Sequence, residues 1–125
     1  MAQKILIVED NPDLSQLLAL YLSNAGYEIS RARNLAEGIS KALTERPDLI
    51  ITDLHLPDMT AVDATVILKQ DPATSDIPIL LLTATAFGEW KTKAVKAGVA
   101  KYLIKPISRP DLTEAVRTLL QPAST

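Results

Sequence analysis

A chain of 125 residues, 47% apolar and 22% charged, with no cysteine and a net charge of −2, is long enough to bury one core and has the balance of a globular domain. The charge argues against an electrostatic footprint for nucleic acid, and the missing cysteines exclude disulfides and thiolate-bound zinc. No apolar run approaches the roughly 18 residues that span a bilayer, and the N-terminus lacks a long apolar leader, so a cytoplasmic protein with no direct membrane or nucleic-acid contact is expected.

The first predicted element is a strand over Lys4 to Val8, whose apolar run Ile5-Leu6-Ile7-Val8 ends abruptly in Glu9 and Asp10. Asn11 caps the helix that follows, Pro12 fits its first turn, and Gly26 ends it. Leu14, Leu17, Leu18, Tyr21 and Ala25 are its predicted buried stripe. Tyr27 to Ala32 alternates apolar with polar residues, the pattern of an edge strand. Asn34 caps a second helix with Leu35, Ile39, Ala42 and Leu43 inward, stopping before Pro47.

Leu49 to Thr52 is continuously apolar up to its last residue and leads into Asp53. A third helix is expected around Ala61 to Lys69, carrying Val62, Val66 and Ile67. The strand Ile79 to Leu82 starts after Pro78, where a missing N–H does least harm. A fourth helix runs from about Phe87 to Ala97, carrying Phe87, Trp90, Ala94 and Ala97 before Gly98. Tyr102 to Ile104, flanked by Lys101 and Lys105, reads as the other edge. Ser108 caps a last helix with Pro110 in its first turn and Leu112, Val116, Leu119 and Leu120 inward, and 121–125 reads as a frayed tail.

Five strands alternating with five helices predict an α/β fold, a mostly parallel sheet with helices on both faces. The continuously apolar strands belong in its centre, covered on both sides. The expected organisation is one domain over 1–125 with a core from 4 to 120. In such a sheet, functional groups gather beyond the carboxyl ends of the strands. Glu9 and Asp10 follow the first strand, Asp53 the third, Thr83 the fourth and Lys105 the fifth.

Three carboxylates forced together raise one another's proton affinity unless a cation sits among them. A hard divalent ion with oxygen ligands answers that need, and Mg²⁺ takes one or two carboxylates while leaving positions for phosphate oxygens. The Lys105 ammonium and the Thr83 hydroxyl suit phosphate oxygens. The set reads as a phosphoryl-handling site.

Four stretches, VED at Val8 to Asp10, DLIITDLHLPDM at Asp48 to Met59, LLTA at Leu81 to Ala84 and YLIKPIS at Tyr102 to Ser108, resemble the receiver domain of two-component response regulators, of the chemotaxis-regulator type. The resemblance runs from Lys4 to about Leu120. It implies a flavodoxin-like fold of strand order 2-1-3-4-5 and a phosphorylation-gated signalling module. By it, Asp53 accepts a phosphoryl group from the phosphohistidine of a histidine kinase or phosphotransfer protein. Glu9, Asp10, Asp53 and the backbone carbonyl of His55 hold Mg²⁺. Thr83 and Lys105 contact the phosphate, and Tyr102 changes rotamer behind Thr83. The output surface is that of the fourth and fifth βα units, meeting a downstream protein, and the Lys105–Pro106 bond is cis.

Some positions depart from the pattern or stay open. Ala61 stands where many receivers have glycine and would resist positive φ, and Ile107 replaces a common phenylalanine. The His55 ring is expected to face solvent, Trp90 is either core or exposed anchor, and Lys91, Lys93, Lys96 and Lys101 read as a solvated basic face. The alternative function is a Mg²⁺-dependent phosphatase acting through an aspartyl-phosphate, although such enzymes carry an acid–base aspartate two residues after the nucleophile, where this chain has His55. A flavin-binding module would need a phosphate loop after the first strand, and none is found.

Overall fold

The computed structural model describes residues 2–85 and 88–121. Among them, strands and helices alternate: β1 (Lys4–Val8), α1 (Pro12–Asn24), β2 (Glu28–Ala32), α2 (Leu35–Glu45), β3 (Leu49–Thr52), α3 (Ala61–Gln70), β4 (Ile79–Thr83), α4 (Glu89–Ala97), β5 (Lys101–Ile104) and α5 (Arg109–Leu120). The strands form one parallel sheet in the order β2-β1-β3-β4-β5. This is the flavodoxin-like order that the resemblance implied. Phe87, expected in the fourth helix, and residues 122–125 of the expected tail lie outside the described residues.

Side chains alternate across a strand, so each central strand feeds two cores. Leu6, Val8, Ile50, Ile79 and Leu81 pack on one face beneath α2, α3 and α4. Ile5, Ile7, Leu49, Ile51, Leu80 and Leu82 pack on the other against Leu18 and Leu22 of α1 and Leu112 and Val116 of α5. Burial on both faces is why these strands are written in unbroken Ile, Leu and Val. The approach of α2 to β1 is close enough to require glycine, because a Cβ on Gly38 would stand 2.8 Å from Val8 Cγ2.

Side-chain caps begin the helices as expected. Asn11 Oδ1 accepts from the amides of Asp13 and Leu14, Asn34 from Glu37, and Ser108 from Asp111. Thr60, not anticipated as a cap, serves α3 by accepting from Asp63.

Two helix faces differ from expectation. On α1 the buried residues are Ser15, Leu18 and Leu22, with Leu14 and Tyr21 packed at the flanks, while Leu17 is exposed and Ala25 is an exposed C-cap. On α3 the buried line is Ala61, Ala64, Thr65 and Leu68, and Val66 and Ile67 face outward. The buried line of α3 is thus made mainly of small residues, with its larger aliphatics Val66 and Ile67 left outside. Leu43 of α2 is likewise exposed, beside the buried Leu35 and Ala42.

Candidate functional site

The parallel register brings four strand ends to one level. Val8 lies beside Thr52, Thr52 beside Leu81, and Thr83 beside Ile104. The residues that follow these ends therefore share one edge of the sheet. The Glu9 N–H donates to the Ala32 carbonyl and the Asp53 N–H to that of Val8, so the two backbones stay in the ladder while their side chains leave it.

Glu9 is buried, Asp53 half-buried and Asp10 exposed. Their carboxylates offer oxygens that all lie within 4.8 Å of one another. The Lys105 Nζ donates to Glu9 Oε1 at 3.0 Å and to Asp53 Oδ2 at 2.9 Å. The remaining oxygens are also engaged: Glu9 Oε2 accepts from the Asn11 N–H at 3.1 Å, and Asp53 Oδ1 from the Leu54 N–H at 2.6 Å. The Lys105–Pro106 bond at the head of the next loop is cis.

One ammonium is shared by more carboxylates than it can neutralise. Burial pushes the Glu9 carboxyl above its ordinary range, and the opposing hydrogen bond and charge of Lys105 do not bring it back. Burial also works against the Lys105 ammonium, but its hydrogen bonds to Asp53 and Glu9 outweigh that and hold its pKa above the usual value. Excess negative charge on oxygen ligands is what a hard divalent cation fits. Glu9, Asp10 and Asp53 would be the residues to hold such an ion, which would offset their excess charge.

A carboxyl whose pKa is raised by folding binds its proton more tightly in the folded chain than in the unfolded one. Glu9 therefore costs stability above its folded pKa, and the cost vanishes as pH falls below the unfolded value. In buffer free of divalent ions, Glu9→Gln is expected to melt above wild type near neutral pH, with the gap closing on acidification towards about pH 4. Thermal melts of both proteins across that range check this. A gap of opposite sign, or one insensitive to pH, would contradict it.

Thr83 is buried, and its hydroxyl accepts from the Thr85 N–H at 3.2 Å. Tyr102 is buried on the neighbouring strand with its hydroxyl donating to the Thr85 carbonyl at 3.0 Å. Burial, and then the charge of Asp53, raise its phenol pKa, which ties the ring electrostatically to the carboxylate cluster. Thr83 and Tyr102 thus converge on the same residue of the β4–α4 connection, Thr85.

His55 is exposed, as expected, but its ring does not stand alone in solvent. It meets Trp90 edge-on, with centroids 5.2 Å apart. Trp90 packs partly against the core beneath α4, and Lys93 Nζ lies 4.8 Å from its ring centroid while pairing with Glu89 at 3.0 Å. Trp90 is therefore both partly core and partly covered by this surface stack. The expectation about Ala61 also changes: it opens α3 without positive φ, so nothing at that position demands glycine.

Two contacts near the site escaped the sequence reading. Arg31 Nε donates to the buried Ser15 Oγ at 2.9 Å, tying β2 to α1, and Asp58 bonds the start of α2. Each joins residues distant in sequence through a side chain that looks like an ordinary surface or turn residue.

The family model of the response regulator receiver domain matches residues 5–117. The chain belongs to this family. Two curated relatives set the scale of the receiver. It is 34% identical over 120 residues to the polar-differentiation response regulator DivK of Brucella anthropi, covering 96% of this chain and 98% of DivK. It is 36% identical over 118 residues to the DNA-binding dual master transcriptional regulator RpaA of Synechocystis, covering 94% of this chain but only 49% of RpaA. The receiver thus spans nearly all of one relative and about half of the other. Among solved structures, the receiver domain of a sensor histidine kinase from Pseudomonas aeruginosa, which carries a magnesium ion coordinated in its active-site cleft, superposes with a TM-score of 0.88 at 28% identity, over 96% of this chain and 98% of that one. Receivers are signalling modules. Among the described residues no helix is long and apolar enough to cross a membrane.

Proposed function

We propose that this receiver takes a phosphoryl group onto Asp53 from the phosphohistidine of a histidine kinase or phosphotransfer protein, with Mg²⁺ held by Glu9, Asp10, Asp53 and the His55 carbonyl. The observation that carries this reading is the convergence of three carboxylates within 4.8 Å around a lysine that bonds two of them. In the transfer, an Asp53 carboxylate oxygen forms the new bond to phosphorus as the phosphorus–nitrogen bond breaks, and its electron pair returns to the donor imidazole. Mg²⁺, when bound, offsets negative charge on the phosphoryl oxygens. Lys105 adds a cation already in contact with the acceptor, and the protein needs little acid–base chemistry because positioning and electrostatics carry most of such a reaction.

Output follows from bonds that exist only after transfer. The phosphate offers one charge-assisted hydrogen bond to Thr83 and one to Lys105, together about 3–6 kcal/mol. Carrying a two-state surface from 1:99 to 99:1 needs about 5.5 kcal/mol. Thr83 turning towards the phosphate removes the acceptor that now holds the Thr85 N–H, and Tyr102, bonded to the same residue, follows. The surface of α4, β5 and α5 is then the one read by a downstream protein in the cytoplasm.

The test is intact-mass analysis after incubation with a small acyl phosphate. One added phosphoryl group is expected with Mg²⁺ present and none after chelation. Uptake that ignores chelation would refute the ion's part, and no uptake under either condition would refute the reading.

A further inference from the structure

The hairpin that follows Asp53 is tied to a helix it does not belong to. Asp58 lies in the connection between β3 and α3, yet its carboxylate serves the start of α2: Oδ1 accepts from the Leu35 N–H at 3.0 Å and Oδ2 from the Ala36 N–H at 2.8 Å. The local cap Asn34 takes the next two amides, Glu37 through its side chain at 2.8 Å and Gly38 through its carbonyl at 3.0 Å. Three of the amides that a helix start leaves without intrahelical partners, those of Leu35, Ala36 and Glu37, are thus shared between a local residue and one 22 to 23 positions downstream. A negative charge also suits the positive end of the helix dipole. Hydrogen bonding from the Leu35 amide is the main cause that keeps the Asp58 carboxyl below the usual range.

The rest of the connection is closed on itself. The Ala61 N–H donates to the Leu54 carbonyl at 2.8 Å, the Leu56 N–H to that of Met59 at 3.2 Å, and His55 bridges to Thr60 in antiparallel fashion. Residues 54–61 therefore form a small hairpin. One end is rooted at Asp53, whose Oδ1 holds the Leu54 amide, and the tip is clipped to α2 by Asp58. His55 sits between the two anchors, so displacing it strains one or the other.

We propose that Asp58 is a positioning residue for the acceptor site, clamping hairpin 54–61 to the α2 N-terminus and thereby fixing where the His55 carbonyl stands. This rests on the reading of Asp53 and the His55 carbonyl as ion ligands given above. Asp58 touches neither the ion nor the phosphate, and acts through the backbone that bears a ligand. A second consequence is that α2 and the acceptor loop move as one body.

The control is built into the same helix end. Asn34→Ala removes a cap of α2 without touching the clip, whereas Asp58→Ala removes the clip. Both lower the melting temperature. Only Asp58→Ala is expected to weaken Mg²⁺ binding, by about tenfold, the low end for residues that orient a ligand, and only it is expected to speed amide exchange across 54–60. Mg²⁺ titration can be followed by the fluorescence of Trp90, the single tryptophan and a direct neighbour of the His55 ring, with calorimetry as an independent reading. Should Asp58→Ala not fold, Asp58→Asn keeps one acceptor oxygen and is expected to show a smaller loss of the same kind. If wild type binds Mg²⁺ and the Asp58 variant binds it equally well, or if exchange across 54–60 is unaltered, Asp58 is a helix cap only and the inference falls alone. If wild type does not bind Mg²⁺, it falls together with the functional reading.

Discussion

Asp53→Asn protein is expected to take up no phosphoryl group from an acyl phosphate under conditions in which wild type takes up one. The amide has no anionic oxygen to attack phosphorus and contributes no charge to an ion. The fold survives, at a cost that the site's hydrogen bonds define. Asp53 now accepts from the Leu54 N–H on one oxygen and from Lys105 on the other. Asparagine has one acceptor and one donor, so whichever way its amide turns, a donor faces a donor. A loss of about 1 kcal/mol is expected. Intact mass and a denaturation curve measure the two effects separately. Persistent phosphorylation of this variant would move the acceptor elsewhere, with Asp10 first in line.

Lys105→Met is expected to shift stability and ion affinity in opposite directions. The ammonium is mostly enclosed, at 21% exposure, and is in contact with Glu9 at 4% and Asp53 at 17%. Breaking a fully buried pair costs about 3–5 kcal/mol because the abandoned charge has no solvent. Partial exposure and a second carboxylate that water reaches reduce this to about 2–3 kcal/mol in buffer free of divalent ions. The same substitution removes the cation that competes for the ligand oxygens, so Mg²⁺ binds more tightly and restores much of the lost stability. Phosphoryl uptake nevertheless slows, by about tenfold, since a preorganised donor to the transferred group is gone and only part of its charge is replaced. Denaturant melts with and without Mg²⁺, paired with uptake rates, test all three. A variant both more stable without the ion and slower to bind it would contradict the account.

Much of the architecture was legible because the central strands can be written in few ways. A strand buried on both faces needs an unbroken aliphatic run, and β1 and β3 have the bounds expected, each one residue longer than its run, while β4 and β5 each extend one residue further than expected. The caps were legible for a similar reason: Asn11, Asn34 and Ser108 are short acceptors ahead of helical patterns. The buried faces of α1 and α3 were not. α1 carries leucine at 14, 17, 18, 20 and 22, so more than one apolar stripe satisfies helical spacing. On α3 the buried stripe is the one with small residues, between α2 and α4, and hydrophobicity alone does not single it out. Glu9, Asp10, Asp53, Thr83 and Lys105 came together because strand ends in a parallel sheet share an edge. Asp58 stayed hidden because its partners lie on another helix, and an aspartate after proline reads as a turn. The His55–Trp90 contact was equally invisible, depending as it does on how α4 leans over the β3–α3 hairpin.

Helix α4 is attached more lightly than its neighbours. Among the described residues, its buried side chain is Ala94 alone, its N-cap Gly88 offers no side-chain acceptor, and Val95 is 60% exposed. A segment with so little apolar area in the interior has a local opening free energy well below that of the sheet. A rearrangement worth a few kcal/mol at the end of β4 can therefore tilt or fray α4 while β1, β3 and β4 stay rigid. The scaffold that aligns the carboxylates and the part proposed to report their state thus have separate mechanical stiffness, the first set by branched aliphatics and the second by Ala94 and the partly buried Trp90.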